Sequence, residues 1–84
     1  MTERVQKLVD FFRNHKEYVP GSGIFSSRNL VGDEMKTIYC DNGVTVDICY
    51  EYDYIEIFGL TDDEFQEAAR EIDSMNYPEY FEED

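Results

Sequence analysis

The chain has 84 residues, 42% of them hydrophobic and 15% aromatic, and a formal net charge of −13. A chain this short forms one domain around one core, burying only about 60 to 65% of its unfolded surface, yet it is too apolar to be a disordered polyanion. The acidity argues against direct binding of nucleic acid or an anionic membrane, and no apolar run approaches the roughly 18 residues that span a bilayer.

The opening Met1-Thr2-Glu3-Arg4 lacks the basic-then-apolar plan of a secretion signal, so a cytoplasmic location is expected. Thr2 is placed to cap a helix over residues 3–17, in which Val5, Leu8, Val9 and Phe12 recur at helical spacing. Pro20 and the glycines of Gly21-Ser22-Gly23 end it, and residues 23–33 are expected to form a short, irregular strand.

Asn42-Gly43 between Met35–Cys40 and Val44–Tyr50 predicts a tight type I′ hairpin. Regular pairing about that turn sets Tyr39 opposite Val46, Thr37 opposite Ile48, Cys40 opposite Thr45 and Lys36 opposite Cys49. Val44, Val46, Ile48 and Tyr50 then share the core face, joined by Ile55 and Ile57 of a third strand over residues 54–59. The other face would hold Lys36, Ile38, Cys40, Thr45, Asp47, Cys49, Glu51, Tyr54, Glu56 and Phe58, and is expected to meet water. The two thiols lie too far apart for a disulfide.

Thr61-Asp62-Asp63-Glu64 is a capping box that starts a second helix, with Leu60 and Phe65 as its hydrophobic staple and Phe65, Ala68, Ala69 and Ile72 as its buried stripe. The fold class is therefore α+β: two layers, an N-terminal helix, a three- or four-stranded antiparallel meander and a C-terminal helix, with both helices on one sheet face. Residues 1–76 form the domain, and residues 77–84 an acidic tail with Tyr77, Tyr80 and Phe81.

No constellation points to catalysis, a cofactor or a metal, and the expectation is a non-enzyme. His15, the only histidine, lies near a helix end, where a cation at the helix terminus or a surface residue accounts for it. Cys40 and Cys49 read as strand residues, with Asp47 and Glu51 near Cys49 disfavouring a thiolate. Gly21-Ser22-Gly23 lacks the lysine of a phosphate loop, and Asp41-Asn42-Gly43 lacks the spacing of a calcium loop.

The charge is uneven. Residues 1–40 hold six bases and five acids, whereas residues 41–84 hold Arg70 alone against fifteen acids. Asp63, Glu67 and Glu71 form one row on the second helix, where like charges at i, i+4 cost stability and invite an explanation. Asp47, Glu51, Asp53 and Glu56, interleaved with Tyr50, Tyr52 and Tyr54, form a second candidate surface suited to arginines. In size, charge and lack of catalytic motifs the chain resembles small acidic proteins of phages and mobile elements, notably anti-CRISPR proteins that mimic nucleic acid. That resemblance implies carboxylates occupying a basic groove meant for phosphates.

The expected function is an acidic binding module for a basic protein surface, such as the groove of a nuclease or another nucleic-acid-binding protein, acting as an inhibitor. The alternative is a structural or assembly protein, a homodimer built on a sheet edge or exposed aromatics, whose acidity serves solubility.

Overall fold

Apolar periodicity and two caps give the helices their limits. The structure, a computed structural model, describes residues 1–28 and 34–76. The tail over residues 77–84 and the end of the expected strand from residue 29 onward lie outside the described residues. Helix α1 spans Glu3–Asn14, with the Thr2 hydroxyl accepting from the Val5 N–H at 3.4 Å and Val5, Leu8, Val9 and Phe12 fully buried. It stops short of residue 17 because His15 leaves helical geometry, and Lys16–Tyr18 tighten into a 3₁₀ turn.

Four strands follow: β1 (Ile24–Ser26), β2 (Lys36–Asp41), β3 (Val44–Cys49) and β4 (Tyr54–Phe58), in the spatial order β1-β4-β3-β2. Asn42 and Gly43 both have positive φ, 53° and 77°, as a type I′ turn requires. Asp41–Val44, Cys40–Thr45 and Tyr39–Val46 pair in the predicted register. Beyond Tyr39 the prediction fails: a bulge puts Thr37 opposite Asp47 and Lys36 opposite Ile48. The extra residue turns Ile38 towards the core cluster, a burial that strict alternation denies it.

The sheet is mixed rather than antiparallel throughout. β1 runs parallel to β4, with Phe25 beside Ile55 and Ser26 beside Glu56. The cause is a clamp between distant parts of the chain: Asp53 holds the loop before β1 at the start of β4, its carboxylate accepting from the Ser22 N–H at 3.1 Å and its carbonyl from the Ser22 hydroxyl. Both strands therefore leave from one point in one direction.

Helix α2 (Asp62–Asp73) begins at the predicted capping box, with both reciprocal bonds formed. Leu60 and Phe65 pack on the core as expected of a staple, Ala68 and Ile72 are buried, and Ala69 is half-buried. Both helices cover the sheet face made by Val44, Val46, Ile48, Ile55 and Ile57. They run parallel: Thr2 and Arg4 meet Glu64 at their starts, and past their ends the Asn76 side chain donates to the Pro20 carbonyl at 2.7 Å. Gly59 (φ 95°) lets β4 turn into α2 against the hairpin tip, where a Cβ would lie 2.0 Å from the Gly43 carbonyl oxygen.

Two expectations about sheet faces need correction. Tyr50 lies beyond β3, in the turn, and is 57% exposed rather than part of the core. Cys49, Tyr54 and Glu56, assigned to a water-facing side, are buried, with Glu56 only 1% exposed. β4 is an interior strand, so Glu56 is flanked by Ser26 on one side and Asp47 on the other. Among the described residues no helix is long and apolar enough to cross a membrane.

Candidate functional site

The predicted site residues divide into three places. Asp63, Glu67 and Glu71 lie along one flank of α2, two turns of like charge that share a shallow recess with Arg70. Asp63 is exposed, and Glu67 and Glu71 are half-buried. Glu67 approaches the Met1 amino group at 3.4 Å. Across the whole of α2 there are six carboxylates and one arginine, whereas α1 carries two carboxylates and three cations. The charge asymmetry of the sequence thus becomes a contrast between two helices lying side by side.

The second group lies on the sheet. Asp47 and Glu56 stand directly opposite each other in the β3–β4 pairing, an arrangement that is unfavourable for like charges. The Thr37 hydroxyl donates to the Asp47 carboxylate at 2.6 Å. Burial removes Glu56 and Tyr54 from direct contact with a partner in this conformation.

The third group is the β3–β4 turn. Glu51 and Tyr52 are exposed there, but Asp53 is occupied as the clamp on Ser22 and adopts a left-handed backbone, φ 53°. The nine residues therefore do not form one surface, and the flank of α2 is the only continuous acidic stretch among them.

Sequence reasoning missed the junction where the two helices begin. Glu64, only 8% exposed, is held by the Arg4 guanidinium through Nε at 2.9 Å and through a second nitrogen, by the Thr2 hydroxyl at 2.6 Å, and by the Thr61 N–H at 3.1 Å. Arg4, followed by Thr2 and the Thr61 backbone, keeps its carboxyl well below the usual carboxylate range. Arg4 itself was the available signal, since a cation in the first turn of a helix opposes the dipole unless it has an acidic partner.

The chain matches no protein-family model, no curated protein and no solved structure.

His15 contacts Glu17 at 3.5 Å and packs on the Phe11 ring, both on the surface of α1 and its 3₁₀ turn. Cys40 is exposed and Cys49 buried, both as free thiols. Among the described residues no group of three or more His, Cys, Asp or Glu is placed to hold a metal ion.

Proposed function

We propose that the protein is a non-enzymatic binding module that presents the acidic flank of α2 to a basic protein surface. The observation that carries this reading is the alignment of Asp63, Glu67 and Glu71 on one side of a helix whose opposite side packs on the core. Three carboxylates on a rigid rod, spaced by about 6 Å per helical turn of side chains, can meet a line of lysines or arginines without folding cost. A nucleic-acid-binding groove offers such a line, and occupying it would make the module an inhibitor of the nucleic-acid-binding protein.

The experiment is a pull-down from a candidate host lysate, with retained proteins tested for binding across a salt series. Association through this flank weakens steeply between about 50 and 200 mM salt. Exchanging Asp63, Glu67 and Glu71 together for lysine abolishes it while the circular dichroism spectrum stays unchanged. Undiminished affinity in a folded triple variant would falsify the proposal.

A further inference from the structure

The outer edge of the sheet beneath α1 differs in character. β2 is an edge strand, and α1 packs above it through Phe11, whose ring lies 5.0 Å from that of Tyr39. Tyr18 stacks on the same phenylalanine at 6.1 Å, so a partly exposed aromatic group borders a strand edge that pairs with no other strand among the described residues. The charges along it are mixed: β2 begins with Lys36 and ends with Asp41, Glu34 and Glu51 share a recess with Lys36, Asp47 accepts from the Thr37 hydroxyl, and the 3₁₀ turn carries Lys16 and Glu17.

We infer that this edge pairs with the same edge of a second copy, β2 against β2, to give a two-fold dimer. The register follows from the ladder. In a two-residue hairpin the turn-flanking pair, here Asp41 and Val44, is hydrogen-bonded, so Cys40 turns its backbone N–H and C=O outwards. The bulge at Ile38 shifts the alternation by one, and Thr37 turns its groups outwards as well. An antiparallel match of outward residues sets Thr37 against Cys40 of the second copy, with the two-fold axis between Ile38 and Tyr39.

That same register sets Lys36 against Asp41 of the second copy, twice, so the strand is self-complementary in charge. It also brings the Phe11–Tyr39 pairs together beside the axis. In a protein of net charge −13, these two ion pairs offset part of the repulsion between copies. The bulges keep the shared ladder short, leaving the aromatic contacts to supply most of the buried area.

Sedimentation equilibrium of the full chain tests the inference, with a concentration-dependent rise towards twice the monomer mass expected. Lys36→Glu weakens the dimer about tenfold, as loss of two exposed ion pairs predicts, and adding Asp41→Lys to that variant restores it. Thr37→Cys places a thiol opposite Cys40 of the second copy at a separation that fits a disulfide. Oxidised glutathione then gives a covalent dimer, with each bridge formed as glutathione is reduced, whereas Gln66→Cys on α2 gives none. Monomeric mass at every concentration, or equal cross-linking at both positions, overturns the inference. The triple lysine variant of α2 remains dimeric, so failure here is distinct from failure of the α2 flank to bind.

Discussion

Arg4 in the first turn of α1 grips Glu64 in the first turn of α2, joining two helices that start side by side and point the same way. Parallel helices place two positive dipole ends together, an arrangement that repels unless a negative charge lies between them. Glu64 supplies that charge while its backbone and carboxylate complete the α2 capping box. One side chain therefore caps, neutralises and cross-links.

This junction makes stability depend on pH in a defined direction. The folded-state pKa of Glu64 is depressed below its ordinary value of 4.5, so its contribution is fully present above that value and is lost as acid protonates it in the folded protein. Glu64→Gln lowers the melting temperature at neutral pH, and the gap from the parent protein narrows as pH falls below 4.5. Thermal melts of the two proteins, compared pH by pH, remove the common effect of protonating the other carboxylates. A gap that stays constant into strong acid contradicts the assigned role.

Local chemistry made much of the fold legible. Asn42-Gly43 specified the turn, the Thr61–Glu64 box specified the start of α2, and alternation in Val44–Ile48 specified the core face, because each signal acts within a few residues. What was not legible depended on partners distant in sequence. Ser22 meets Asp53 across 31 residues and makes β1 parallel to β4, and Arg4 meets Glu64 across 60. The candidate site divided for the same reason: Tyr54 and Glu56 look like members of a half-exposed strand until β1 makes β4 an interior one.

Gly59 and Gly43 separate conformational cost from steric cost. Both have positive φ, but a Cβ on Gly43 meets nothing within 4 Å, whereas one on Gly59 would collide with the hairpin backbone at 2.0 Å. Gly43→Ala costs about 1 kcal/mol from the left-handed backbone alone. Gly59→Ala adds displacement of the hairpin tip from α2 and costs about 3 kcal/mol or more. Urea midpoints rank the two, and equal losses would show that the close approach at Gly59 is relieved without consequence.

Asp53 and Glu51, neighbours in one turn, should respond differently to mutation. Asp53→Ala removes the carboxylate that accepts from the Ser22 N–H while keeping the backbone acceptor of its hydroxyl, costing about 1 kcal/mol, and frees β1 to fray, which faster amide exchange at residues 24–26 reports. Glu51→Ala touches an exposed side chain and changes stability by less than about 0.5 kcal/mol.

The two thiols provide a direct probe of the corrected sheet. Cys40 is exposed on the edge strand β2, whereas Cys49 is fully buried at the end of β3 opposite Tyr54. A water-facing Cys49, as simple alternation required, would react with a thiol reagent as fast as Cys40. In the observed fold one equivalent reacts rapidly and the second only as the domain opens, so its rate follows global stability and rises with denaturant. Cys40→Ser removes the fast phase and keeps the slow one. Rapid reaction of the remaining thiol in native buffer would mean that the sheet face around Cys49, Tyr54 and Glu56 is open to water.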